Sequence, residues 1–142
     1  MSATRRKQTD RANALLIEGY ASVFGEEDAS GDIVRAGAFV SSLKGRSIPM
    51  LLQHRTGVRV GRWVRVAEDG YGLFVRGLIN RSVALDLVRT GLSGLSIGFR
   101  PQVYTMRPDV GRVLSKIHLV EVSLVAKPML DRARFQVISG TT

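Results

Sequence analysis

The segment that most limits the fold is KIHLVEVSLVA, residues 116–126. β-Branched residues and leucines dominate it, so it reads as a strand. Alternation along a strand puts Ile117, Leu119, Glu121, Ser123 and Val125 on one face. His118, Val120, Val122, Leu124 and Ala126 take the other. Both faces are mostly apolar, so both must be covered and the strand is buried on its two sides. A carboxylate at Glu121 is costly there unless it is paired and hydrogen-bonded. A positioned histidine or arginine is the usual partner. With 17 Arg in the chain, a structural Glu–Arg pair is the plain alternative to a functional one.

The rest of the chain is built of similar pieces. Leu15 to Phe24 reads as a strand with a bulge or bend at Gly19. GEEDASGD is a turn by composition. Ala38, Phe39 and Leu43 suit a short helix closed by Gly45. Ser47 to Arg55 suits an inner strand entered from a loop. Trp63, Val64 and Val66, then Leu73, Phe74 and Val75, flank Glu68-Asp69-Gly70, which predicts a β-hairpin. SVALDLVR, Ser82 to Arg89, has apolar positions at helical spacing and ends at Thr90-Gly91. LSGLSIGFRPQVYTM, RPDVGR and ARFQVI read as strand, turn and short strand. Six or seven strands and two short helices result. The predicted class is mainly β with short peripheral helices (α+β), arranged as a small closed or half-closed antiparallel barrel.

At 142 residues this is material for one core. Residues 1–13 read as a flexible basic tail, 14–138 as the single domain and 139–142 as a C-terminal tail. The chain has no cysteine, which excludes thiol catalysis and cysteine-ligated metal, and only two histidines, His54 and His118. No apolar run is long enough to span a membrane, and MSATRRKQTD is not followed by the apolar stretch of a secretory signal. The formal charge of +9 favours anionic partners, or a plain solvated basic surface.

Two further positions are odd for packing alone. In GLSGLSIGF, Leu95, Ile97 and Phe99 face the core, and Ser96 stands between Gly94 and Gly98 on the other side. An extended peptide could approach a serine flanked in this way, as a nucleophile requires. A small polar filler at a tight corner would give the same pattern. Ser93 is the weaker nucleophile, since it falls on the Leu95 face or in the preceding turn. His54 ends IPMLLQH, on the face of Ile48, Met50 and Leu52. It is the natural general base of any hydrolytic site, or a satisfied edge residue. His, Ser and an acid are the minimal set for acyl transfer.

The wording of these segments resembles a known family. GYASVFGEEDASGDIVRAGAF, PMLLQHR, EDGYGLFVRGLI, GLSGLSIGF and LVEVSLVAKP occur in the order found in prohead proteases of tailed phages and related gene transfer agents. The resemblance runs from about Ile17 to Ile138. It implies a serine endopeptidase with a fold like herpesvirus assemblin, acting in capsid maturation. Such an enzyme lies inside the procapsid in the host-cell cytoplasm. There it removes the scaffolding segment of the major capsid protein and often cleaves itself.

Carried over onto the matching motifs, the resemblance implies His54 as base, Ser96 as nucleophile and Glu121 as the orienting acid. His118 is the alternative third member, because the herpesvirus enzymes use a second histidine there. In a regular strand His118 and Glu121 face opposite ways, which favours Glu121. Backbone amides around Lys127 to Leu130 would form the oxyanion hole, although AKPML departs from the commoner family wording. The implied partners are the major capsid protein with its scaffolding segment, and a second copy of the chain, since herpesvirus relatives are activated by dimerisation. No metal or organic cofactor is implied. Many relatives carry a long charged C-terminal extension, whereas this sequence stops four residues after Ile138. The basic segment at residues 5–11 could meet an acidic scaffold in its place.

Two other classes fit parts of the pattern. One is a catalytically idle scaffold component with the same fold, against which the intact His54, Ser96 and Glu121 set argues. The other is a nucleic-acid-binding barrel, suggested by charge alone. Phe39, Trp63, Phe74 and Phe99 lie in apolar stretches, not on an exposed stacking face, so contact with nucleic acid is non-specific if it occurs.

Overall fold

A computed structural model describes residues 14–140. Residues 1–13 and 141–142, which include the basic tail, lie outside the described residues. The strands are β1 (Leu15–Val23), β2 (Ile33–Val34), β3 (Pro49–Leu52), β4 (Arg59–Glu68), β5 (Gly72–Ile79), β6 (Gly94–Met106), β7 (Arg112–Val125) and β8 (Phe135–Gly140). The helices are α1 (Val40–Leu43) and α2 (Ser82–Arg89). The mainly β class with short helices is the class found.

The eight strands form one sheet in the order β2-β7-β3-β4-β5-β1-β8, with β6 also paired to β7. Strand β7 organises it. One edge carries β6 along most of its length, and the other carries first β2 and then β3. Its last five residues, Glu121 to Val125, are all buried, as its two apolar faces require.

Two expectations need correction and one alternative is decided. The sheet is not purely antiparallel: β2 and β3 both run parallel to β7. Parallel neighbours need long connections, and the chain between β3 and β7 supplies one, made of the β4–β5 hairpin, α2 and β6. Of the closed and half-closed arrangements expected, the sheet takes the one that does not close. Between β8 and β6 there is an isolated bridge, Gly94 to Arg134, flanked by Leu95 N–H to the Ala133 carbonyl at 2.8 Å and Phe135 N–H to the Ser93 carbonyl at 2.9 Å. The bulge of β1 falls between Tyr20 and Ser22, not at Gly19. Gly19 instead lets β8 come close, since a Cβ there would lie 2.9 Å from Phe135 Cα.

Strand β2 escapes a sequence reading because two residues carry no periodicity. Its short span follows the acidic turn and is fixed by Asp32. That buried carboxylate accepts from Arg112 N–H at 2.9 Å, Nε at 3.2 Å and Nη2 at 2.7 Å. Strand β8 continues through Ser139 and Gly140, which pair with Leu16 and Leu15. Helix α2 has the bounds its spacing predicts and buries Ala84 and Leu85. Helix α1 is a single turn, and two of the amides before it are bonded from outside the helix. The Glu68 carboxylate, at the far end of β4, accepts from Gly37 N–H at 3.0 Å and Phe39 N–H at 2.9 Å.

The core lies inside the curl of the sheet. Ile17, Phe39, Met50, Val60, Leu73, Val75, Ile79, Leu95, Ile117, Leu119 and Leu124 are fully buried there. Burying a side chain of this size contributes roughly 1.5–3 kcal/mol, so these strands are held mainly by their shared apolar face. The consequence for function is a fixed β3–β7–β6 platform.

Candidate active site

Adjacent strands deliver the three residues singled out above. Ser123 of β7 lies opposite Leu51 of β3 on one side and opposite Ser96 of β6 on the other. Glu121 is two residues before Ser123 and faces Gly98. His54 follows the end of β3 by two residues. Ser96 lies in this row, and His54 and Glu121 come from positions beside it; His54 and Glu121 are in contact, and among the described residues Ser96 is hydrogen-bonded to neither.

His54 reaches this face through an unusual backbone. Gln53 and His54 have φ of 52° and 60°, left-handed values that cost an L-residue about 1 kcal/mol each. The alternation that places Ile48, Met50 and Leu52 in the core therefore stops at Leu52, and His54 does not continue it. The turn is closed by Arg55 N–H to the Leu52 carbonyl at 3.0 Å, and three further hydrogen bonds tie it to β7 and the residue after it. Gln53 N–H donates to the Leu124 carbonyl at 2.9 Å. Ala126 N–H donates to Gln53 Oε1 at 3.2 Å. His54 N–H donates to Ser123 Oγ at 3.1 Å.

The imidazole then meets Glu121. Nδ1 lies 2.8 Å from Oε2 and 3.2 Å from Oε1. Ser123 Oγ donates to Oε1 at 2.5 Å. The buried carboxylate is thus balanced by a histidine and a hydroxyl, not by an arginine. The hydrogen bond from Nδ1 to the Glu121 carboxylate raises the His54 pKa above its ordinary value of 6.5, against an opposing effect of burial. With Nδ1 turned to a carboxylate, the proton sits on Nδ1 and Nε2 is left as a base.

Alternation on β7 is broken just before Glu121. Gly98 pairs with Glu121 and Phe99 with Leu119, so Val120 is the extra residue of a bulge. Leu119 belongs to the core with Val122 and Leu124. Glu121 and Ser123 stand on the other face, so the expected grouping of Ile117 and Leu119 with Glu121 is corrected. The same bulge removes the reason for setting His118 on the face opposite Glu121. The contacts differ: Glu121 bonds to His54, while His118 lies opposite Arg100.

The glycines around Ser96 have a different use from the one their pattern predicts. A Cβ on Gly98 would lie 2.7 Å from the Glu121 carboxyl carbon and 2.9 Å from its Cγ. A Cβ on Gly94 would lie 3.0 Å from Pro128 Cδ. Both vacancies are filled by the protein itself. Ser96 is 4% exposed, and among the described residues its hydroxyl has no hydrogen-bond partner. It lines a cavity of about 250 Å³ bounded also by Val23, Asp28, Phe99, Met129 and Leu130. The segment expected to supply the oxyanion hole therefore borders the same space. Among the described residues, no group of three or more His, Asp or Glu is arranged to hold a metal.

Sequence reasoning missed Ser123 as a site residue. Its signal was present, as a second buried polar side chain two positions after Glu121 and on the same face.

Comparisons with known proteins bear on the family and the fold. The family model for caudovirus prohead serine proteases matches residues 2–142. The prohead protease of Enterobacteria phage HK97 is 37% identical over 92% of this chain and 63% of its own length. The chain thus spans less than two thirds of that relative. Among solved structures, KSHV protease in complex with a hexapeptide phosphonate inhibitor aligns with a TM-score of 0.60 and 16% identity, over 89% of this chain and 65% of its own. A second KSHV protease structure aligns with a TM-score of 0.51 and 16% identity, over 87% and 60%. At that identity the likeness is one of fold, and it is the assemblin-like fold that the sequence resemblance implies.

Proposed function

Because the chain belongs to the family of caudovirus prohead serine proteases, we propose that it is a serine endopeptidase of capsid maturation, with Ser96 as nucleophile, His54 as general base and Glu121 as the acid that orients the base. Its substrate is the major capsid protein inside the procapsid, from which it removes the scaffolding segment, and it also cleaves itself. The observation that carries the reading is the His54 Nδ1 to Glu121 Oε2 hydrogen bond of 2.8 Å. It leaves Nε2 as the imidazole's free base in a chain of this family.

The reaction follows from these roles. Ser96 Oγ attacks the peptide carbonyl carbon as Nε2 takes the hydroxyl proton. Glu121 stabilises the imidazolium that forms. The imidazolium gives its proton to the departing amine as the C–N bond breaks, leaving an ester on Ser96. Water, deprotonated by Nε2, then hydrolyses the ester and restores Ser96. The tetrahedral oxyanion needs N–H donors. Met129 and Leu130 line the cavity beside Ser96, and among the described residues the N–H groups of Lys127, Met129 and Leu130 donate to no acceptor. They are the proposed donors. The cavity itself takes a side chain of the substrate. Activation by a second copy of the chain belongs to the same proposal and is read from the dependence of rate on concentration.

The test is co-expression with the major capsid protein of the same particle, reading the intact mass of both chains. Wild type should shorten the capsid protein at its N-terminus and Ser96→Ala should not. Cleavage by Ser96→Ala at the wild-type rate would remove Ser96 from the mechanism. Procapsids that contain the wild-type chain and an uncut capsid protein would point to the idle scaffold component.

A further inference from the structure

The serine protease reading uses three residues, and a fourth is bonded to two of them. Ser123 is 0% exposed. Its hydroxyl donates to Glu121 Oε1 at 2.5 Å and accepts from the His54 backbone N–H at 3.1 Å. A hydroxyl has one proton and two lone pairs, so both bonds can exist together with a single proton assignment. Across the ladder its residue faces Ser96.

Resting on the protease reading, we propose that Ser123 is a positioning residue that fixes the acid and the base of the site at once. Donating to Oε1 stops the Glu121 carboxylate from rotating and presents Oε2 to the imidazole. Accepting from the His54 amide holds that residue in its left-handed turn, where the backbone itself is unfavourable. Each bond would order one group. Together they set the distance between the groups, which neither β3 nor β7 determines alone, because His54 lies beyond the last paired residue of β3, Leu52.

Ser123 is not a second nucleophile. It is inaccessible, and its proton is committed to Glu121. Ser96, whose hydroxyl has no partner among the described residues and which lines a cavity, is the reverse case. The two hydroxyls lie in one cross-strand pair and have separate tasks, one to react and one to hold.

The experiment compares wild type, Ser123→Ala and Ser123→Cys. Cysteine fills the space of serine but is a weak donor, so it separates packing from hydrogen bonding. One readout is steady-state cleavage of a peptide spanning the site mapped in the capsid protein. Both variants should lose kcat by about 10- to 100-fold, with KM within about twofold of wild type, since no substrate contact is removed. The other readout is the proton NMR signal of the His54 Nδ1–H. It should stand at low field in wild type and be lost to exchange in both variants. An unchanged Nδ1–H signal in Ser123→Ala, an unchanged kcat, or recovery of the wild-type rate by Ser123→Cys would each overturn the proposal. Failure of the protease reading is seen separately, as a Ser96→Ala chain that still cleaves or a wild type that does not. The NMR comparison then decides the role of Ser123 without any substrate.

Discussion

Gly98 lies opposite Glu121 in the β6–β7 ladder, and the carboxylate occupies the space where a Cβ on residue 98 would stand. The absence of one side chain on β6 is therefore part of the acid's position on β7. A substitution here should act on catalysis through Glu121 and His54 without touching either.

Gly98→Ala is the direct check. The added methyl must displace the carboxylate, which is held on its other side by Ser123 and His54. We expect cleavage to fall by about 100-fold, the scale of a misplacement of roughly 1 Å, while circular dichroism keeps the wild-type strand signal. Full activity in Gly98→Ala would show that Glu121 can move without consequence.

The pH dependence of the rate has a definite sign. His54 must be neutral to accept the Ser96 proton, and its pKa is raised by Glu121. Activity should therefore climb with pH through a midpoint above 6.5. In Glu121→Gln the raising influence is gone and burial still disfavours the charged imidazole, so the midpoint should fall below that of wild type. For stability the sign is opposite. The raised pKa stabilises the fold fully below the unfolded value of about 6.5, and that contribution is lost as pH rises through the folded value. A pH–rate profile and urea melts at pH 5 and 9 test both.

The two serines should differ in stability. Ser96→Ala removes a hydroxyl with no bond among the described residues, so the unfolding free energy should stay within about 0.5 kcal/mol of wild type. Ser123→Ala leaves a buried carboxylate and an amide short of partners and should cost about 1–3 kcal/mol. Urea titrations of both variants at one pH measure the difference. Equal costs would show that the hydrogen bonds of Ser123 carry no weight in the folded state.

Acid should loosen the β2 end of β7. The three hydrogen bonds from Arg112 hold the Asp32 pKa below its ordinary value of 3.8. Its contribution to stability is present above that value and disappears as pH falls through the lower folded one. Asp32→Asn should cost about 2 kcal/mol at pH 7 and progressively less as pH falls below 3.8, because wild type loses the same interaction. Hydrogen exchange at Ile33 and Val34 reports the site locally.

Much of the architecture was legible because it is local. The helix at Ser82–Arg89 follows from spacing and its Thr90-Gly91 end. The hairpin joining β4 and β5 follows from two β-rich runs about an Asp-Gly turn. The strand over 116–125 follows from its β-rich run, although burial on both faces holds only from Glu121 to Val125, and Glu121 stood out because burial makes a charge costly wherever it occurs. The motifs around His54, Ser96 and Glu121 were also enough to suggest the family.

What the sequence could not decide was how distant segments register against one another. Perfect alternation places Leu119 with Glu121, and the bulge at Val120 separates them. It places His54 in line with Met50 and Leu52, and two left-handed residues turn it away. It reads Gly98 as room for a substrate, and that room belongs to the Glu121 carboxylate. Side-chain period is a property of one strand and is fixed by its own backbone. A bulge, a strained turn or a shared vacancy persists only where contacts from another strand repay its cost, so those features of the site exist only in the folded chain.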